Sequence, residues 1–176
     1  MVFRWLLSSN KHDDEDEKPV RYKKVNRKDA SNEWVKSGED MANANKLDEA
    51  LTCFENALKI NPQNDFAWGD KGLILSKQEK TEESLVSFSN AISINPNNAT
   101  TWHNKGLTLI QAKRLKESIQ CFDRALEIRQ DYAKAWYNKG RSLVMLGETE
   151  KAQQCFDRAR KLDPFLYTKL TRMHNK

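Results

Sequence analysis

Apolar positions along this chain follow the spacing of amphipathic helices, and the whole pattern returns every 34 residues. The clearest marker of this interval is a set of four tryptophans: Trp34, Trp68, Trp102 and Trp136. Each tryptophan is followed seven positions later by Met or Leu, which places both side chains on one helix face. A second apolar stretch with helical spacing follows in each unit. The pattern predicts two helices per unit and four units in the chain.

Small residues and prolines keep the same register. A glycine follows each tryptophan by four positions: Gly38, Gly72, Gly106 and Gly140. A small residue stands twelve positions after each glycine: Ala50, Ser84, Ser118 and Ala152. We expect these small residues to let the two helices of a unit approach closely. Proline disfavours helix in the residue before it, and it ends every unit except the third, where Gln130 replaces it. The predicted units are 31–64, 65–98, 99–132 and 133–166.

The pattern resembles the tetratricopeptide repeat (TPR) family over residues 31–166. The runs WHNKG at Trp102 and WYNKG at Trp136 are similar to the archaeal and bacterial type of this repeat. The resemblance implies an all-α, right-handed superhelical solenoid of four helix-turn-helix repeats. It also implies a C-terminal capping helix at residues 167–176, where Tyr167, Leu170 and Met173 would cover the last repeat. Nine helices are expected.

Residues 1–30 lie outside the repeats and form an arm with three chemically distinct parts. An apolar tip contains Phe3, Trp5 and Leu6, and an acidic run and then a basic run follow at 13–17 and 18–28. Such a composition is typical of a segment that is mostly disordered in isolation. One interpretation is a solvated tail. The other is an anchor that docks on this protein's own groove or on a partner, because exposed aromatic area costs about 25 cal/mol per Å² in water.

The net charge of +5 comes from the ends of the chain rather than from the repeats. Repeat by repeat, the net charge is −3, −2, +2 and +3, so the array runs from acidic to basic and is neutral as a whole. A fold that binds phosphate backbones usually carries a basic stripe, so nucleic acid is the less favoured partner. The opposite charges of the two ends predict a salt-sensitive head-to-tail self-association, unless the gradient serves only to keep monomers soluble.

Cysteine usage and hydropathy indicate a soluble, cytoplasmic protein. No apolar run approaches the ~18 residues that span a bilayer. The chain has three cysteines, which is an odd number, and they are widely spaced at Cys53, Cys121 and Cys155. We therefore expect reduced thiols and no disulfide framework. All three precede the repeated phenylalanine, so filling the core is a better explanation for them than a thiol sensor.

The sequence contains no motif for catalysis, for a cofactor or for a metal. The Walker loop, the His-Glu-x-x-His zinc motif and the Gly-x-Ser-x-Gly elbow are all missing. His12, His103 and His174 are scattered over the arm, a repeat and the predicted cap. We therefore expect a protein that is not an enzyme and holds no cofactor or metal.

The family resemblance implies that a partner binds in the concave groove lined by the first helices of the repeats. The groove positions in this sequence predict the following contact residues: Phe66, Leu73, His103, Asn104, Leu107, Ile110, Lys134, Tyr137, Asn138, Arg141 and Met145. They form an apolar middle and a basic end. Because Tyr137 and Arg141 occupy no signature packing position, we expect both to be replaceable without loss of helix. For Leu73, Leu107 and Val144, packing between neighbouring first helices is an equally good explanation.

Some family members hold the carboxylate tail of a chaperone in a clamp of Lys, Asn and Arg. Only Asn104 and Lys134 fit that clamp here, so a chaperone-tail cochaperone is not expected. The predicted function is a scaffold or adaptor that binds a peptide or helix segment of another protein. The alternative is an accessory subunit of a ribonucleoprotein, touching RNA through the basic arm and the tail residues Lys169, Arg172 and Lys176.

Overall fold

A computed structural model describes residues 26–174, with side chains described as far as Leu170. The proposed arm anchors Phe3, Trp5 and Leu6 lie outside the described residues. Within this part of the chain every regular element is an α-helix. The helices, in chain order, are α1 (Arg27–Asn43), α2 (Leu47–Ile60), α3 (Asp65–Lys77), α4 (Thr81–Ile94), α5 (Ala99–Gln111), α6 (Leu115–Ile128), α7 (Ala133–Met145), α8 (Thr149–Leu162) and α9 (Pro164–His174). Nothing in this range is both long and apolar enough to cross a membrane.

The helices stack as a solenoid of pairs. The helices α1, α3, α5 and α7 each pack most extensively on the helix that follows, and each pair then packs on the next pair. The first helices of successive pairs also touch one another, as α5 touches α7. Among the described helices, no such contact joins successive second helices, so the second helices splay apart. The array therefore curves with its first helices on the inside. The predicted all-α solenoid is confirmed.

Each pair is held together by a phenylalanine that fills the space left by a glycine. The Phe88 ring is fully buried, and a Cβ added at Gly72 would lie 2.9 Å from two of its carbons. The same relation repeats in the other three pairs. The small residue of the register also contributes, because Ser84 Oγ donates a hydrogen bond of 2.8 Å to the carbonyl oxygen of Gly72. The close approach of the two helices is thus set by three repeated positions: the glycine, the phenylalanine and the small residue.

The repeated tryptophan ties successive pairs together. In three repeats its indole Nε1 donates a hydrogen bond of 2.9 Å to the carbonyl oxygen six residues earlier: Trp68 to Pro62, Trp102 to Pro96 and Trp136 to Gln130. The acceptor is a backbone oxygen, so the interaction is independent of the side chain at that position. This explains why Gln130 can replace proline without loss of the contact.

The two helices of every pair are joined through one residue in the left-handed region. These residues are Asn45, Glu79, Lys113 and Gly147, with φ of 60°, 61°, 58° and 82°. A side chain in this conformation costs roughly 1–2 kcal/mol, and only glycine avoids that cost. The fourth turn is therefore the least strained of the four.

We expect Gly147→Ala to lower the free energy of unfolding by about 1 kcal/mol, because the left-handed conformation penalises any Cβ. No atom lies within 4 Å of the added Cβ, so the loss would come from the backbone alone. Urea denaturation measures it. Glu79→Gly in the second repeat is the matched reverse substitution, and it should gain roughly 0.5 kcal/mol. An unchanged midpoint for Gly147→Ala would contradict this account.

Helix α9 closes the C-terminal end of the array. It begins at Pro164, three residues before the predicted start, and the Asp163 side chain caps it by accepting a 2.9 Å hydrogen bond from the Leu166 amide. Tyr167 packs edge-on against Tyr137 and Phe156, with ring centroids 5.8 and 6.3 Å away. Helix α1 likewise begins at Arg27, inside the predicted arm. The unit boundaries themselves remain predictions.

Candidate protein-binding groove

The concave surface of the solenoid is built from side chains of α1, α3, α5 and α7, and polar side chains link these helices. Between α1 and α3, Asn64 Nδ2 donates to Ser31 Oγ at 2.9 Å and to Asn32 Oδ1 at 3.0 Å. Asn64 also caps α3 by accepting a hydrogen bond from the Ala67 amide at 3.1 Å. The first junction is therefore held in register by one buried amide.

The junction between α3 and α5 is a short chain of hydroxyl and amide groups. Thr108 Oγ1 donates to Ser76 Oγ at 2.9 Å, and Ser76 Oγ donates to Gln111 Oε1 at 3.0 Å. Thr108 is almost fully buried, whereas Gln111 is exposed. This series of hydrogen bonds therefore runs from the interior to the groove surface, and it fixes the side chains at this end of α3 and α5.

The junction between α5 and α7 centres on a buried histidine. Asn138 Nδ2 lies 3.1 Å from His103 Nε2, and His103 Nδ1 lies 3.3 Å from Asn104 Oδ1. Because an amide nitrogen can only donate, Nε2 accepts and the ring proton is on Nδ1. Arg141 completes the chain by donating to Asn138 Oδ1 at 3.1 Å. Both ring nitrogens of His103 therefore have the hydrogen-bond partners that a neutral imidazole requires.

The surroundings of His103 keep it neutral. The pKa of the imidazole is lowered to about 4, with burial as the largest cause; the hydrogen bond to Asn104 acts in the opposite direction, and the positive charges of Lys134 and Arg129 act in the same direction as burial. The ring also stacks at 5.0 Å from Tyr132. A proton on Nε2 would face the Asn138 amide hydrogens, so the network itself disfavours the charged form.

The structure divides the predicted contact residues by exposure. Phe66, Lys134 and Met145 are exposed on the first helices. Half-buried residues form a second group: Leu73, Asn104, Leu107 and Arg141. Buried residues form a third: His103, Ile110, Tyr137 and Asn138. The last group shapes the groove from beneath and offers little surface to a partner. The assignment of the whole set to partner binding stays a prediction.

The expectation that Tyr137 is a replaceable surface residue is wrong. Its side chain is only 3% exposed and its ring lies 5.5 Å from that of Phe156. Helix α9 adds to the cover, because the Tyr167 ring packs edge-on against Tyr137 with the ring centroids 5.8 Å apart. Tyr137 is therefore a core residue of the last repeat, and its truncation should destabilise the fold rather than test the groove.

Exposure and packing distinguish the two explanations for the aliphatic groove residues, which are packing between first helices and contact with a partner. Leu107 packs against the core cluster around Phe122, which favours the packing role. Val144 keeps 48% of its surface exposed, which favours a contact role. Leu73 is half-buried and is compatible with both.

The contact prediction omitted an acidic residue in the groove, Asp70. Burial raises the pKa of this carboxyl to about 6, and the neighbouring carboxylate of Glu39 raises it as well. The corresponding positions hold Lys36 in the first repeat and Asn104 and Asn138 in the last two, so an acidic side chain at this place is an exception among the repeats. Comparison of the repeats column by column would have identified it from the sequence.

The groove therefore has chemically different ends. At the start, a hollow of about 530 Å³ lies between α1 and α3 and includes Val35, Glu39 and Phe66. At the far end, Lys134 and Arg141 add positive charge beside exposed Met145. Such a surface suits an amphipathic segment with opposite charges at its two ends.

The described residues hold no group of three or more His, Cys, Asp or Glu side chains that could bind a metal ion. Cys53, Cys121 and Cys155 are free and buried. Burial raises the pKa of all three thiols, to about 11 for Cys121, which makes them poor nucleophiles. Their packing supports the core-filling explanation.

Models of the tetratricopeptide repeat match residues 31–64, 67–98 and 97–164. The chain belongs to the tetratricopeptide repeat family. This confirms the family predicted from the tryptophan and glycine register. A comparison with curated protein sequences finds no match.

Solved structures of similar fold include MamA and PilF proteins. MamA 41-end from Desulfovibrio magneticus RS-1 is 21% identical with a TM-score of 0.70, over 76% of each chain. A MamA RS-1 double mutant is also 21% identical, with a TM-score of 0.70 over 76% of this chain and 75% of that one. Pseudomonas aeruginosa PilF is 18% identical with a TM-score of 0.74, over 78% of this TPR chain and 63% of PilF. These similarities establish the fold.

Proposed function

We propose that this TPR protein is a non-enzymatic scaffold or adaptor of the cytoplasm, which binds a peptide or helix segment of another protein in its concave groove. Membership of a repeat family made of interaction modules supports the general class of protein-binding scaffold. The concave groove, built on the rigid first helices, is the part of the molecule best suited to hold an extended or helical segment.

The observation that carries the proposal is the placement of exposed apolar side chains. Among the described side chains, the large exposed hydrophobic residues are Phe66, Val86, Val144, Met145 and Phe165. Three of them, Phe66, Val144 and Met145, lie at groove positions on first helices, with exposures of 61%, 48% and 51%. Exposed apolar groups concentrated on one face of a folded protein mark binding surfaces.

The charges of the groove define the partner further. Glu39 and Asp70 repel each other near the start of the groove, and a cationic side chain from a partner would relieve that repulsion. Arg141 and Lys134 at the far end suit an acidic residue. The partner segment we propose thus has an apolar middle, a basic part beside Asp70 and an acidic part beside Arg141.

The alternative, an RNA-binding accessory subunit, rests on basic residues that lie mainly in the arm and the C-terminal tail. Salt-sensitive head-to-tail association of the array is supported by the net charges of −3 and −2 in the first two repeats and +2 and +3 in the last two. Both remain predictions. Salt distinguishes RNA from an apolar segment, because phosphate contacts weaken steeply as salt rises.

The groove is tested by selecting peptides from a displayed library on the full chain and measuring their affinity for Phe66→Ala combined with Met145→Ala. We expect the affinity to fall roughly tenfold or more, because exposed aromatic and Met anchors dominate such interfaces. Stability should be retained, since both side chains are exposed.

Val86→Ala is the matched control for the groove test, because it removes a residue of 59% exposure from the second helix α4. Its affinity should equal that of the unmodified chain. If Val86→Ala weakens binding and the groove variant does not, the peptide binds the outer face and the proposal fails. If the chain selects no peptide but binds single-stranded RNA with a steep salt dependence, the RNA alternative replaces it.

A further inference from the structure

A second candidate binding site lies on the outer face of the solenoid, between the second helices of the last two pairs. The cleft between α6 and α8 has a volume of about 730 Å³ and is floored by α7. Half-buried apolar side chains line it: Ile119, Trp136 and Leu146. A cleft of this size can receive about two or three side chains of a docked segment.

The rim of this outer cleft carries an excess of two positive charges. Two of its four cations are neutralised in ion pairs of 2.5 and 2.6 Å, which are Lys139 with Asp123 and Lys151 with Glu148. The other two cations, Lys116 and Arg158, are exposed and have no ion-pair partner among the described residues. Apolar side chains and two unpaired cations therefore face the same space.

The equivalent clefts between the earlier second helices have an acidic side chain on this rim. In the place of Lys116, the cleft between α2 and α4 has Asp48, and the cleft between α4 and α6 has Glu82. Either carboxylate would repel an acidic segment. Of the three clefts between the described second helices, the last is therefore the one suited to a segment that is both apolar and acidic.

The arm of the chain has this chemistry. Its apolar tip contains Phe3 and Trp5, and its run at 13–17 consists of five acidic residues. Extended, such a run covers about 16 Å at ~3.3 Å per residue. Lys116 and Arg158 are offset by eight positions in the repeat register, which is roughly 12 Å along two parallel helices. One acidic run can therefore contact both cations.

The arm cannot make these contacts within its own chain. With residues 13–17 on the cleft rim, residues 18–26 remain to reach the start of α1, and they span at most about 30 Å. The path over the surface is about 50 Å, because three steps of about 10 Å between successive first helices and one helix length of roughly 20 Å separate the cleft from α1. A second copy of the chain is free of this limit, because it can approach the cleft from outside.

We propose that residues 1–17 of a second copy of this chain dock in the outer cleft between α6 and α8. Phe3 and Trp5 of the second copy pack on the floor around Trp136, and its acidic run lies against Lys116 and Arg158. The cleft is thus a site for self-association, and its occupant is the arm of the neighbouring copy.

Docking of the arm also brings oppositely charged repeats together. Residues 18–26 act as a tether that holds the start of α1 of the second copy within about 30 Å of the cleft. The first two repeats of that copy, with net charges of −3 and −2, then lie close to the last two repeats of its neighbour, with +2 and +3. The contact is heterologous and can repeat from copy to copy. It leaves the concave groove open, so peptide binding in the groove is tested independently of it.

The test mixes two forms of the full chain and maps the cross-links between them by mass spectrometry. The donor carries the photo-crosslinking residue benzoylphenylalanine in place of Phe3, and the acceptor is labelled with ¹⁵N. With a roughly tenfold excess of acceptor, about nine in ten cross-links should join a donor arm to an acceptor cleft, by mass action. Cross-links that stay within the donor chain, that reach the concave groove, or that fail to form would overturn the proposal.

Charge reversal identifies the contact. Lys116→Glu with Arg158→Glu in the acceptor should lower the yield of interchain cross-links by roughly fivefold or more, because two attractive contacts become repulsive. Asp14→Lys with Asp16→Lys in the donor should restore the yield to within about twofold, because the charges are then exchanged across the contact. Thermal unfolding checks that each variant folds. Loss without rescue in folded variants would contradict direct pairing of the acidic run with these cations.

Lys134→Glu with Lys161→Glu in the acceptor is the matched control. It makes the same change in net charge at exposed residues of the last repeat, and neither residue lines the cleft. The yield of interchain cross-links should equal that of the unmodified acceptor. An equal loss in both acceptor variants would show that only the overall charge matters, and the cleft would then be the wrong site.

Discussion

Gly72→Ala should lower the free energy of unfolding by about 2 kcal/mol, even though alanine is the better helix former by about 1 kcal/mol. The new Cβ would lie 2.9 Å from Cδ1 and Cε1 of Phe88 and 3.1 Å from its Cγ. Because Cγ is the root of a fully buried ring, rotation of the ring cannot relieve the overlap. The two helices of the second repeat would have to move apart.

Gly69→Ala on the same helix is the matched control, and it should have the opposite sign. The nearest atom to its added Cβ is Thr101 Oγ1 at 3.7 Å, an ordinary contact. We therefore expect a gain of roughly 0.5–1 kcal/mol from helix propensity alone. Urea denaturation of both variants decides the matter, and a shift in the same direction for both would show that Phe88 does not set the helix spacing.

Asp70→Asn should raise the free energy of unfolding at pH 7 by about 1–2 kcal/mol. The pKa of Asp70 rises from 3.8 to about 6 on folding, so the folded chain binds this proton more tightly than the unfolded chain. The free energy of unfolding therefore falls as pH rises from 3.8 to 6, and the cost is complete at pH 7. The full shift corresponds to roughly 3 kcal/mol, which residual solvent contact reduces.

The pH profile provides the sharper measurement for Asp70→Asn. In the unmodified chain, His103 opposes Asp70, because its pKa falls from 6.5 to about 4 on folding and stability is lost as pH drops through that range. With Asp70 removed, the histidine contribution is no longer balanced. We expect the advantage of Asp70→Asn to shrink from pH 7 toward pH 4 and to vanish there.

Glu83→Gln removes an exposed carboxylate from α4 and serves as the control for this profile. Its stability should parallel that of the unmodified chain at every pH. Glu39→Gln should give part of the Asp70→Asn gain at pH 7, because it removes one of the two causes that raise the pKa of Asp70. Parallel profiles for Asp70→Asn and the unmodified chain would contradict the assignment.

The repeated contacts of this fold were predictable from the sequence because each occurs several times. The relation between Gly72 and Phe88 recurs in every repeat, so its register is visible even though one pair alone would mean little. Helix pairing and the solenoid follow from such positions.

Contacts that occur only once in the fold could not be predicted from the repeat pattern of the sequence. The positions equivalent to Tyr137 in the first three repeats hold Val35, Gly69 and His103, and such a mixture of residue types is typical of a variable surface. The Tyr137 ring is covered by Tyr167 of α9, which packs on α7 and α8 where the earlier repeats have the first helix of the next repeat. The hydrogen bond between His103 and Asn138 is also unique to one junction, so periodicity gave no indication of it.

The start of α9 shows how one residue can carry two signals. Proline disfavours helix before it, which predicts the end of α8, but it is also well suited to the first position of a new helix. Pro164 does both, with Asp163 as the cap between the two helices. The prediction used only the first signal and therefore placed α9 three residues late.

The buried cysteines allow the local stability of the array to be measured in individual repeats. Cys53, Cys121 and Cys155 lie on the second helices of the first, third and fourth helix pairs. Cys121 packs against Leu109 of its own pair and Leu85 of the pair before it, and Cys155 packs against Leu143 of its own pair. Their raised pKa values and burial protect them from thiol reagents until that pair opens. Because helices touch only near neighbours in the array, opening of one end need not expose the other. The rate at which each thiol is alkylated in the native chain therefore reports the local opening free energy of its repeat, without any engineered label.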